Sequence, residues 1–206
     1  MERVDADYFQ PKYSKIIDKI KGYSGGFDSV KNLISLKDKN FIPKDNISYK
    51  YIELADVVKC GRINNFTYDF GNNLPTRARR LVSKGDVIIS SIKGSSSACA
   101  LITDELDNSI VSSGFYVISS KVINAETLLV LFKSPLLQEL LKRGGSGTIL
   151  MSIGKKEFQK IKIPIIKKEI QQKISDLVRK SSNLIRQSKE ILAKAKKDVE
   201  NFVESK

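Results

Sequence analysis

The sequence predicts an α+β fold: a globular domain of mixed strands and short helices over residues 1–166, followed by one long helix over residues 167–206 suited to a coiled coil. Two observations carry this expectation. Short apolar runs bounded by Gly, Pro, Asn and Asp read as strands, and they alternate with helical stretches without a βαβα rhythm. Residues 167–204 contain no Pro and no Gly, and apolar side chains recur there every seven positions.

In chain order, Tyr8, Phe9, Tyr13, Ile16, Ile17 and Ile20 supply the apolar face of a short helix that ends in a glycine turn at residues 22–26. Residues 27–36 read as a short helix or the start of a strand. Residues 40–46, with Pro43, read as a loop. Residues 49–58 form the first strong strand pattern, and residues 61–63 continue it. Residues 64–80 are polar and loop-rich, with Gly71, Asn72, Asn73 and Pro75. A turn at residues 84–86 leads into a buried strand at 87–92. The polar tip at 93–97 and the apolar run at 98–102 make this a hairpin. Residues 104–108 are a turn, and 110–118 a further strand with Gly114 inside it. Residues 125–141 carry leucines at helical spacing, and Pro135 marks a break or the first turn of a second helix. Residues 143–147 form an exposed loop. Ser152 caps a short helix through Phe158, and residues 161–166 form a last strand.

The long helix carries three adjacent heptad rows: Ile170, Leu177, Leu184 and Ile191; Val178, Ile185, Leu192 and Val199; and Ile174, Ser181, Ser188, Ala195 and Phe202. At about 1.5 Å per residue it runs on the order of 55 Å, long for a domain of this size. Its stripe packs either wholly on the chain's own core or on a helix of another chain or domain. The second destination suits the length, and the small residues of the third row let a partner helix come close.

Composition narrows the partners. A net charge of +13 directs attention to nucleic acid, an acidic protein or a membrane surface. No apolar run has the length of a membrane span. The first residues are acidic and polar, unlike a signal peptide, so a cytoplasmic location and reduced Cys60 and Cys99 are expected. The cysteines lack metal-ligand spacing and there is no His, so neither a metal nor a cofactor is expected.

Catalytic signatures are missing. There is no phosphate-binding P-loop, no dinucleotide glycine motif, and no Asn-Pro-Pro-aromatic tetrapeptide of an amino-methyltransferase. Glu139 and Lys142 could be half of a nuclease site, but three residues apart on a helix they read first as a salt bridge. Loop chemistry points elsewhere. Lys93, Ser95 and Ser96 place a charge and hydroxyls at a hairpin tip, where small side chains let phosphates approach. Arg77, Arg79 and Arg80 could hold phosphates or read guanine edges. Arg143, Ser146 and Thr148 form a similar set, and Lys155 opens the basic C-terminal third. Each set also reads as a plain solvated loop.

The order of these pieces resembles the specificity subunit of type I restriction–modification enzymes. The carrying residues are Val4-Asp-Ala-Asp-Tyr-Phe-Gln-Pro-Lys-Tyr13, Ala78-Arg79 followed by Gly85-Asp-Val-Ile-Ile-Ser90, and Ser112-Ser-Gly-Phe115. Gly145-Ser-Gly-Thr148, Ile161-Lys-Ile-Pro164 and Glu169-Ile-Gln-Gln-Lys-Ile174 complete the set. The family's Pro-Pro-Leu before the helix is replaced by Ile165-Ile-Lys167. The resemblance implies a target recognition domain that reads a few base pairs of double-stranded DNA, and a helix that serves as spacer and docking surface. It implies no catalysis by this chain, which would bring a methyltransferase subunit and a restriction subunit to a split site. With one domain and one helix, the chain looks like a half-subunit or an isolated segment of the family's two-unit subunit, and a homodimer in which a second copy supplies the missing helix is expected. A recognition segment cut from a fused methyltransferase and a helical scaffold are the competing readings.

Overall fold

A computed structural model of the protein describes residues 6–146 and 152–204. It is an α+β fold in which helices cover one face of a sheet and a second sheet lies beyond the other. Helix α1 (Pro11–Lys21) opens the domain. Residues 27–36, expected as a short helix or the start of a strand, fall in three pieces: β1 (Phe27–Ser29), a single turn α2 (Val30–Leu33) and β2 (Ser35–Lys37). Residues 40–46 are free of helix and strand, as their proline suggests.

The predicted strand at 49–58 is interrupted. Strand β3 (Ser48–Ile52) stops where the Asp56 carboxylate accepts the Glu53 backbone N–H at 2.8 Å, closing a capping box over a turn of 3₁₀ helix. Strand β4 (Val57–Val58) follows, and β5 (Arg62–Ile63) folds back on it antiparallel rather than continuing it. Gly61 makes that reversal at φ +85°. The stretch 64–80 is not simply loop, because it holds β6 (Thr67–Phe70) and β7 (Ala78–Leu81). The alternation Phe66, Tyr68, Phe70 is a period-two strand signal embedded in turn residues.

The predicted hairpin at 87–102 is present as β8 (Val87–Ser90) paired with β9 (Cys99–Leu101). The predicted strand at 110–118 is two strands in different sheets, β10 (Ile110–Ser112) and β11 (Phe115–Ser119). The first sheet runs β2-β11-β8-β9 and the second β6-β3-β10-β7. The chain changes sheet at Ser113 and Gly114. There the Ser113 N–H donates to the Arg77 carbonyl at 2.7 Å, and the Gly114 carbonyl accepts the Ser91 N–H at 2.9 Å.

Helix α3 (Ala125–Lys133) is capped by Asn124, whose side chain accepts the Thr127 N–H. Pro135 does begin a second helix, α4 (Pro135–Gly144), after an extended Ser134. The predicted exposed loop at 143–147 is helix and strand over residues 143–146, and residue 147 lies outside the described residues. Arg143 is half-buried in the last turn of α4, and residues 145 and 146 form β12 (Gly145–Ser146), paired with β13 (Ser152–Ile153). Ser152 therefore lies in a strand, and Gly154 is the cap of α5 (Lys155–Lys160). Strand β14 (Lys162–Pro164) pairs with β1, and α6 (Lys168–Glu204) runs for 37 residues.

Strand β8 is buried along its whole length. Val87 and Ile89 face the helices with Leu128, Phe132, Leu137 and Phe158, while Ile88 faces Ala100, Val117 and Ile52. This is why the strand reads as a continuous apolar run. Cys99 sits in the first of these layers, and burial pushes its thiol up to about 12. Cys60 is exposed. Native protein is expected to release one equivalent on thiol titration, from Cys60, and a second only after denaturation. Two equivalents from folded protein would contradict the packing of β9. Among the described residues no helix is long and apolar enough to cross a membrane.

Candidate nucleic-acid interface

Hydrogen bonds between turns gather several of the sequence-predicted basic segments along one rim. The Arg77 carbonyl takes the Ser113 N–H, the Gly114 carbonyl takes the Ser91 N–H and hydroxyl, and the Ser91 carbonyl takes the Ile153 N–H at 2.7 Å. The turn after Ser91 carries Lys93 and Ser95, and the strand at Ile153 leads to Lys155. The Ser112–Phe115 motif is the joint of the rim, because it supplies both central peptide groups.

Arg77 is exposed and pairs with Glu53 at 3.0 Å. Arg79 has no residue opposite it, since Val111 faces Arg80 and Ser112 faces Ala78. This bulge leaves the Arg79 side chain exposed, with its Nε on the Thr76 carbonyl at 2.5 Å. Arg80 is half-buried and donates to Asn40. Lys155 pairs with Asp38, whose carboxyl is held below the ordinary range chiefly by that hydrogen bond. The segment 38–40 thus ties β7 to α5. Lys93 is exposed at the tip, where Gly94 adopts φ +92°.

Two predicted contacts are repositioned. Ser96 is 4% exposed and lies under the tip, with its carbonyl accepting from Gln138, so its side chain does not face solvent. The Arg143 guanidinium lies 4.0 Å from the Tyr8 ring centroid, and its Nε donates to the Tyr8 carbonyl at 2.9 Å. It fastens the N-terminal segment to α4. The backbone of Ser146 joins the rim through β13, and Thr148 lies outside the described residues. Glu139 bonds Lys142 at 2.6 Å and Lys12 at 3.1 Å, a solvated ion-pair set.

The long helix is divided along its length. Ile174, Val178 and Ile185 are half-buried, and Val178 packs at the margin of the domain core. Ile170, Leu177, Leu184, Ile191, Leu192 and Val199 are 41–69% exposed. Most of the stripe is therefore uncovered by the chain's own domain.

Sequence reasoning passed over two features. Tyr68 and Phe70 stand exposed on edge strand β6 and Phe66 is exposed just before it, with Lys50 Nζ 5.1 Å from the Phe66 ring centroid. Their alternation was the available signal. The second feature is polar: Gln171 and Ser175 are the buried residues of α6, and Arg179 bonds Glu126 on α3 at 2.9 Å. Burial would push the Glu126 carboxyl up, but donors from Arg179, its own backbone and Ser175 together hold it below the ordinary value. No spacing rule flags a glutamine as buried.

A family model described as the type I restriction modification DNA specificity domain matches residues 27–197. The specificity subunit of the HindI type I restriction enzyme of Haemophilus influenzae is 30% identical over 166 residues, covering 77% of this chain and 34% of that protein. A solved structure of the HsdS subunit from Thermoanaerobacter tengcongensis superposes with a TM-score of 0.66 at 22% identity, over 86% of this chain and 47% of that one. A chain from a structure on complex assembly and conformational transition of the type I R-M system gives 0.67 at 23% identity, over 84% and 46%. The fold, long helix included, is that of these structures. The chain spans about a third of the curated relative's length and just under half of the solved chains.

Proposed function

The chain belongs to the type I restriction–modification DNA specificity family, whose members are non-catalytic DNA-recognition components, and on that premise we propose that it acts as a DNA-reading specificity subunit or half-subunit. In this reading the domain over residues 1–166 reads a short half-site in duplex DNA. The helix over residues 167–206 pairs with the same helix of a second copy, and the dimer brings a partner adenine methyltransferase and a restriction subunit to a split site in the cytoplasm.

The rim is the observation that supports DNA reading. It sets Arg77, Arg79, Lys93 and Lys155 along hydrogen-bonded turns, with small residues that let a sugar–phosphate backbone come near. Arg79, on its bulge, suits bidentate contact with a guanine edge. The other cations suit phosphates. Ser95 contributes hydroxyl or peptide donors in the same reading. Arg80 and Arg143 are half-buried rather than exposed, and they fasten the segments of Asn40 and Tyr8 to the domain.

The test is enrichment of a random-sequence duplex library on the full chain, with solution mass measured by light scattering in parallel. Two inverted half-sites at a fixed gap, bound by a species of twice the chain mass, are the expected result. No enrichment at low salt would sink the reading in favour of a scaffold. Binding is expected to weaken steeply with salt. Lys93→Ala and Lys155→Ala should each reduce the log–log salt slope by about 1 while leaving the selected sequence unchanged. An unchanged slope in both variants would remove these lysines from the phosphate contacts.

A further inference from the structure

A polar row on α6 meets the domain at a point distinct from the rim. Gln171 is 5% exposed. Its Oε1 accepts the Asn124 N–H at 2.8 Å, and its Nε2 donates to the carbonyls of Val122 at 3.0 Å and Ile166 at 2.7 Å. Its own carbonyl accepts the Asn124 side chain at 3.2 Å. Ser175, 2% exposed, and Arg179 continue the row, both directed at Glu126. These residues follow one another at i, i+4 and i+8, so the row rises about 12 Å along the axis. At about 100° per residue it lies roughly 100–180° around the helix from Ile170, on a different face from the exposed apolar stripe.

Apolar contacts are non-directional and let a helix roll or slide, whereas a buried amide with both donors and its acceptor engaged tolerates one rotation. We propose that Gln171, Ser175 and Arg179 are positioning residues that lock the rotation of the recognition domain about the long helix. The lock sets the angle between the domain and the apolar stripe. When a second helix lies on that stripe, the same angle fixes the phase of one recognition rim relative to the other. Helix length sets how far apart the half-sites lie, and the polar row sets how sharply one gap is preferred over its neighbours. The DNA consequence rests on the two-copy reading above; the lock itself does not.

The test separates the two. Spin labels are placed at Cys60, exposed on the domain, and at an introduced thiol on the helix by Lys196→Cys, with labelled chain diluted in unlabelled chain so that only distances within one chain are read. The parent is expected to give one narrow distance distribution. Gln171→Ala and Arg179→Ala should broaden it at least twofold, and Arg179→Lys should restore most of the narrowness. Arg179 is largely exposed, so its variant tests the lock even if Gln171→Ala unfolds. Library selection on the same variants should return the parent half-site, with the share of sites whose gap differs by one base pair raised about threefold or more. Unchanged distance distributions overturn the lock. Broadened distances with unchanged gap preference overturn its role in setting phase. Broadened distances with no paired sites selected even by the parent uphold the lock as a feature of the fold and overturn the split-site reading instead.

Discussion

Phe158→Ala is expected to destabilise the protein by about 3–5 kcal/mol, read as a lowered urea midpoint at unchanged slope. Phe158 is fully buried on α5. Its ring stacks on Tyr116 of β11 at 4.4 Å between centroids, and lies 5.8 Å from Phe132 of α3. Truncation opens a cavity between the first sheet and its helical layer, where three elements meet and none can close in alone. Against a total stability of about 5–15 kcal/mol, the loss would unfold a substantial fraction of the protein at modest denaturant. It would also loosen the start of α5, where Lys155 joins the rim, so DNA binding should fail together with the fold. A loss under about 1 kcal/mol would mean that the Tyr116, Phe132 and Phe158 cluster is not the packed unit described above.

The second large effect is on assembly. Leu184→Asp combined with Ile191→Asp should convert the proposed dimer into a monomer by light scattering, with little change in the urea midpoint. Both side chains are more than half exposed in the single chain, so the domain loses almost nothing when they become polar. Two carboxylates in a helix–helix seam would instead be buried without partners, which is prohibitive. Affinity for a paired site should fall about 10²–10⁴-fold, the gain that simultaneous engagement of two half-sites provides, while a single half-site binds as before. A variant that stays dimeric would place the interface elsewhere, and one that unfolds would show that the stripe serves the chain's own core.

Much of the architecture was legible in local pattern. The β8–β9 hairpin, the break at Pro135 and the long helix each follow from a signal contained within a few turns of chain. Strand ends were less legible where a side chain, not the backbone pattern, decided them. The Asp56 carboxylate stops β3 inside a stretch, residues 49–58, whose pattern reads as one strand. The turn at Ser113 and Gly114 sends β10 and β11 into different sheets, although residues 110–118 read as one strand with Gly114 inside it. The aromatic alternation at 66–70 was hidden by the Asn and Gly residues around it.

The basic segments show the same division. That Arg77, Lys93 and Lys155 are charged loop-side residues is a property of sequence; that they share a rim depends on three peptide hydrogen bonds between turns far apart in the chain. Ser96 and Arg143 were indistinguishable from their neighbours by composition, and only packing withdrew one under the tip and set the other on Tyr8.

For the long helix, sequence alone determined its extent and its apolar stripe, because helical periodicity and the absence of Gly and Pro act through neighbours within one or two turns. Tertiary structure decided which side of it is held by the domain, through Gln171, Ser175 and Arg179, and which side stays open. A buried hydrogen bond depends on the direction of a partner brought from elsewhere in the chain, and no local window of sequence contains that direction.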